Sequence, residues 1–149
     1  MKRPPSPPSA PRGDAATPAP LFADPGLLAT AIALATDDAI FAKDVDSRYQ
    51  FANPALLAVV GRAAEEVLGR TDLELLPDPV LARRLMDNDR MVMATGQPLE
   101  AEEPMVMPDG GTRWWWSRKL PLRDGAGRVV AVLGIARDVT GRRQAEATM

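Results

Sequence analysis

The residues that could carry chemistry in this chain are carboxylates, lysines and hydroxyls, because it has no cysteine and no histidine. Disulfides, thiolate metal sites, thiol nucleophiles and cysteinyl–flavin adducts are therefore excluded, and the commonest general base and metal ligand is missing. The spacing of Asp44 and Asp46 invites a calcium-loop reading. It fails, because Arg48 and Tyr49 stand where a third ligand and a glycine belong and no glutamate closes the loop. These carboxylates read as turn residues. The remaining Asp and Glu residues show no pairing suited to acid–base catalysis, so no catalytic role is expected.

The elements that must position these groups are clearest at the C-terminal end. Thr112–Leu122 alternates as a strand, with Trp114, Trp116, Leu120 and Leu122 on one face and Trp115, Ser117 and Lys119 on the other. The three tryptophans alternate faces, so at most two share a side. Arg123-Asp124-Gly125-Ala126-Gly127 supplies a turn, and Val129–Ile135 is the near-continuous apolar run expected of a strand covered on both faces. Asp138-Val139-Thr140 closes this hairpin.

Upstream, residues 1–20 hold seven of the fifteen prolines, and residues 1–23 read as a disordered tail with a possible proline-rich ligand role. Residues 24–38 read as a flanking helix, capped by Asp24 with Pro25 in its first turn. Leu27, Leu28, Ala31, Ile32, Leu34 and Ala35 form its broad apolar stripe, which requires either its own sheet or a second copy as partner. Ala39–Lys43 and Arg48–Ala52 form a hairpin. Asn53-Pro54 opens a helix over Ala55–Val60, another short helix spans Ala63–Leu68, and Thr71-Asp72-Leu73-Glu74 has the form of a capping box. A longer helix runs from Pro79 to Ala94, with Leu81, Leu85 and Val92 in its stripe and Met91 at the edge. Asn88 and Asp89 lie at that stripe's boundary, where a buried polar group needs a partner. Strand Leu99–Met107 leads into the tryptophan strand.

Strands at both ends with helices between them give an α+β domain built on one antiparallel sheet. The 149 residues suffice for one real core, the net charge of -2 argues against a general nucleic-acid binder, and no apolar run reaches the ~20 residues of a membrane span. Prolines stand where a signal peptide's apolar core belongs, so the expected location is cytoplasmic.

The segments IFAKDVDSRYQFANPALLAVVGR, EEVLGRTDLELLP, NDRMVMATGQPLE and DGGTRWWWSRKLPLRDGAGRVVAVLGIARDVT, in this order and spacing, resemble a Per-Arnt-Sim (PAS) sensor domain of the bacterial signalling type. The resemblance covers residues 39–140, about two thirds of the chain. It implies a five-stranded sheet of order 2-1-5-4-3, short helices over one face, and a cavity between them. It implies that Phe41, Phe51, Leu85, Asp89, Trp115, Ser117, Lys119 and Ala136 line that cavity, with Lys119 or Ser117 placed to fix a carboxylate or carbonyl.

The family's signal-transfer motif matches Asp138, Val139 and Thr140, with Thr140 expected to cap the outgoing helix and Asp138 to pair with an arginine such as Arg137. Two departures stand out. Gly141 replaces the usual glutamate, and only nine residues (141–149) follow to begin the signalling helix. A flavin held by a cysteine adduct and a histidine-ligated haem are both excluded; a non-covalent flavin stays open without positive support, and a small organic molecule is the expected ligand. The reading is a non-catalytic sensory module, homodimeric, acting in trans on a kinase, cyclase or regulator. The alternative is a ligand-free dimerisation module.

Overall fold

A computed structural model describes residues 1–8, 24–107 and 109–148, in two compact units, Met1–Ile32 and Ala33–Met149. In the first, residues 1–8 are exposed without regular secondary structure, and the remainder of the proline-rich tail lies outside the described residues. Helix α1 (Pro25–Ala35) begins where Asp24 accepts the N–H groups of Gly26 and Leu27, the expected cap. At its far end, within the second unit, Ala33 is buried and Leu34 is exposed, so the expected stripe does not extend through Leu34.

The second unit contains β1 (Ala39–Asp44), β2 (Tyr49–Ala52), α2 (Pro54–Val60), α3 (Ala64–Val67), α4 (Asp72–Leu75), α5 (Pro79–Thr95), β3 (Leu99–Val106), β4 (Thr112–Arg123), β5 (Val129–Asp138) and α6 (Thr140–Ala147). The strands form one antiparallel sheet of order β2-β1-β5-β4-β3, as expected. Short turns make three of its pairings local. The fourth joins the two ends of the domain, with Ala39 opposite Ala136 and Asp44 opposite Ala131.

Local chemistry sets the element boundaries. Asn53 is fully buried and makes every bond open to it. Its Oδ1 accepts from Ile40 and Leu56 N–H, and its Nδ2 donates to the carbonyls of Ala33 and Asp38. One side chain thus ties the end of α1, the start of β1 and the cap of α2 together. Asp78 caps α5 through Val80 and Leu81 N–H, and Gly96, at φ 66°, ends it in the left-handed conformation. The capping box expected at Thr71 does not form, since the Thr71 side chain makes no capping bond. Asp44 is the turn residue expected, accepting from Asp46 N–H, Arg48 N–H and Gln50 Nε2.

Alternation assigns the faces. Ala39, Phe41 and Lys43 of β1 stand opposite Ala136, Gly134 and Val132 of β5, while Trp115, Ser117 and Lys119 of β4 stand opposite Asp138, Ala136 and Gly134. On this face a core of Ala39, Phe41, Tyr49, Leu56, Val67 and Leu75 is buried. Gly134 belongs there for space, because a Cβ on it would collide with the Phe41 ring. The other face of β5 is not fully covered: Ala131, Leu133 and Ile135 are only half-buried. The apolar run therefore signals a central strand, not one enclosed on both faces.

Candidate functional site: a cavity ending in a buried charge network

Between the inner face of the sheet and the helices lies a cavity of about 110 Å³. Apolar side chains, among them Phe41, Leu56, Val60, Met105 and Ala136, make most of its wall. Of the expected lining residues, Phe41, Leu85, Trp115, Ser117, Lys119 and Ala136 do line it. Trp115 alone of the three tryptophans does so, the neighbours lying on the other face of β4.

Phe51 and Asp89 are placed differently. Phe51 stands opposite Ala42, on the outer face of the sheet. The pairing of β1 with β2 shifts between Ala42 and Lys43, so that Lys43 meets Tyr49 and Gln50 has no opposite number. That bulge breaks the alternation and delivers Tyr49 to the cavity in place of Phe51. Asp89 sits behind the wall, fully buried, with its carboxylate holding the lysines that do line it.

Those lysines belong to a continuous chain of alternating charge. Lys43 Nζ donates to Asp72 Oδ2 and to Asp89 Oδ2, each at 2.6 Å. Lys119 Nζ donates to Asp89 Oδ1 at 2.6 Å and to the Leu85 carbonyl at 3.4 Å. The remaining oxygen, Asp72 Oδ1, accepts the Tyr49 hydroxyl at 2.7 Å. Every carboxylate oxygen has a donor, and two lysines balance two aspartates. The Lys43 ammonium also lies 5.0 Å from the Phe41 ring centre and 4.8 Å from that of Tyr49. Burial alone would expel such charges, and only complete pairing makes them tolerable.

The two lysines respond differently. Burial works against the charge of Lys43, but Tyr49, Asp72 and Asp89 together outweigh it and raise its pKa. For Lys119 burial outweighs its contact with Asp89, and its pKa falls below the ordinary lysine value. Burial, reinforced by Asp72, raises the pKa of the Tyr49 hydroxyl. Lys119 was expected to be free to fix a ligand carboxylate, but its charge is already engaged by Asp89.

Lys43, Tyr49 and Asp72 were not among the expected site residues. Lys43 had a signal: it is the third residue of an alternating run, Ala39-Phe41-Lys43, whose other members are core. Asp72 had none. In sequence it is a first-turn acid of a short helix, and only the fold turns it inward.

At the opposite end of β4 the strand grips the outgoing helix. Trp114 N–H donates to Thr140 Oγ1 and the Trp114 carbonyl accepts Val139 N–H, both at 2.8 Å. The Thr140 hydroxyl therefore holds β4 and does not cap α6. Asp138 Oδ1 accepts Thr140 N–H at 3.0 Å. Asp138 pairs with Arg113, not with Arg137, which forms a two-point contact with Asp38. Around this junction Glu102 of β3 accepts from Arg142 and Arg143 at 2.8 and 2.7 Å, and the Arg143 guanidinium lies 3.5 Å from the Trp114 ring centre.

Comparison with known proteins agrees with this architecture. The chain is 34% identical over 108 residues to the methanogenesis regulatory histidine kinase FilI of Methanothrix harundinacea, a match covering 72% of this chain and 12% of that protein. It is 37% identical over 121 residues to the uncharacterised protein y4lL of Sinorhizobium fredii, covering 80% of this chain and 14% of that one. The chain thus spans less than a sixth of these relatives. The solved PAS domain of Bordetella pertussis BvgS superposes with a TM-score of 0.71 at 26% identity, over 84% of this chain and 93% of that structure. VqmA bound to DPO superposes with a TM-score of 0.67 at 27% identity, over 75% of this chain and 57% of that one. The family model for the PAS fold matches residues 35–144, and the chain belongs to that family.

Proposed function

We propose that this PAS domain is a sensory module that takes a small molecule into its cavity and relays occupancy through β4 to α6. One observation carries the reading. Trp115 lines the cavity, and the adjacent residue, Trp114, holds Val139 and Thr140 through its backbone. A displacement of β4 by a ligand is thereby transmitted to the start of α6 within one residue. Likeness to a regulatory histidine kinase and to a ligand-bound structure supports the same reading. The ligand shifts the balance only as far as it binds the two positions of β4 with different affinity.

Native mass spectrometry of the purified protein, followed by the denatured spectrum, tests occupancy. An excess mass lost on denaturation is the expected result, and a clean apo protein that binds nothing from a metabolite extract overturns it. Relay is tested separately: Asp138→Ala is expected to keep the fold and the ligand but lose the ligand-induced change in α6. An unchanged response would remove Asp138 from the relay.

A second reading, a dimerisation module, draws on the outer face of the sheet, where Ile40, Trp116, Leu120, Leu133 and Ile135 are only half-buried. A stable apo dimer broken by Leu133→Lys would favour it.

A further inference from the structure

The polar groups of the cavity restrict what it can accept. Both carboxylates and both lysines of the buried network are engaged, and their charges cancel. An anionic ligand reaching Lys119 or Lys43 would strip it from an aspartate and leave that aspartate buried without its partner. A cationic ligand would displace a lysine with the same consequence. Glu103, the remaining charged lining residue, is 39% exposed and paired with Arg84 at 3.2 Å.

Trp115 stands outside this pairing, as does the hydroxyl of Ser117, for which no hydrogen bond is found among the described residues. The Trp115 Nε1–H is buried and has no hydrogen-bond partner among the described residues. Its neighbour Trp116 differs, since Trp116 Nε1 donates to Glu100 at 2.8 Å. A buried donor without an acceptor destabilises the protein, and an incoming acceptor relieves that penalty. The apolar wall suits a hydrocarbon body, and the volume of about 110 Å³ is of the order that holds a single six-membered ring.

We infer that the cavity selects an uncharged, single-ring molecule whose one hydrogen-bond acceptor binds Trp115 Nε1–H. This rests on the reading of the cavity as a ligand site and adds the class of ligand and the residue that orients it.

Pyridine, benzene and benzoate test it by titration into the ¹⁵N-labelled protein at mildly alkaline pH, where pyridine is uncharged. The three indole N–H signals are assigned by single Trp→Phe variants. Pyridine is expected to move the Trp115 indole proton downfield, whereas benzene enters without that shift and benzoate does not enter. The preference for pyridine over benzene is expected to fall about 3–10-fold in Trp115→Phe, the size of one hydrogen bond. Comparing ratios cancels the different hydration of the two probes. Should that variant fail to fold, the indole shift in the unaltered protein decides alone.

Two rings that bind without a distinct Trp115 shift, or a ratio unchanged by Trp115→Phe, would overturn the acceptor assignment while leaving a ligand cavity. Benzoate binding as tightly as pyridine would overturn the exclusion of charge. If no probe perturbs the amides of Ser117, Lys119 or Ala136, the ligand-site reading falls with it.

Discussion

Two charge clusters in this domain use the same chemistry to opposite ends. The Lys43–Asp72–Asp89–Lys119 chain lies inside, with side chains 0–6% exposed. The Glu102–Arg142–Arg143 cluster lies at the root of α6, with side chains 26–56% exposed. Both are made of ammonium or guanidinium groups 2.6–2.8 Å from carboxylate oxygens. What differs is the water. Inside, each charge depends on its partner, and the arrangement has one low-energy form. Outside, solvent competes for every ion, so pairs exchange at little cost and are screened by salt. The cavity wall is thereby fixed, whereas the root of α6 is held by contacts that small forces can rearrange.

The sharpest way to break this comparison is to remove one carboxylate from each cluster. Asp89→Asn leaves Lys43 and Lys119 short of their shared partner and is expected to cost about 3–5 kcal/mol in urea unfolding. A loss below about 1 kcal/mol would mean that burial does not distinguish the two clusters.

Alkaline pH probes the inner cluster without mutation. Tyr49 and Lys43 keep their protons in the folded chain beyond their ordinary values of 10.0 and 10.5, so the unfolded chain releases protons first. Their contribution is whole below those values and declines as pH rises past them. Lys119 acts in the opposite sense: its folded pKa is lowered, so between that pKa and 10.5 rising pH relieves an existing penalty. Two groups against one predicts stability that falls above about pH 10, read as urea midpoints across that range. A flat profile there would contradict the inner network.

Smallest in stability, and most telling for function, is Glu102→Gln. It is expected to leave the unfolding midpoint unchanged while speeding amide exchange along α6, because Arg143 loses its carboxylate and Arg142 keeps only Glu146, at 3.7 Å. High salt should reproduce the effect in the unaltered protein. Exchange that stays the same in both experiments would show that the backbone bonds of Trp114 alone hold the helix.

Much of the fold was legible in the sequence because its determinants are local. Alternation placed Trp115, Ser117 and Lys119 on one face of β4, and Asp24 and Asn53 marked helix starts through caps that lie within a few residues of the cap itself. The site was legible only in part. The resemblance carried Phe51 to the cavity, but a single unpaired residue, Gln50, breaks the alternation of β2 and brings Tyr49 there instead. The Thr71 capping box was a local signal that lost to a tertiary one, Asp72 turning inward to Lys43 and Tyr49.

The sequence by itself determined the element order, the faces of the long strands and the absence of thiol and imidazole chemistry, since composition, period and turn residues are properties of neighbouring positions. Tertiary structure alone decided that Lys43, Asp72, Asp89 and Lys119 share one charge network, that Arg113 and not Arg137 meets Asp138, and that the Trp115 Nε1–H finds no acceptor among the described residues. These groups come from strands and helices 25–46 residues apart along the chain. Which of them meet depends on how the helices pack over the sheet, and that packing is set by the whole core at once.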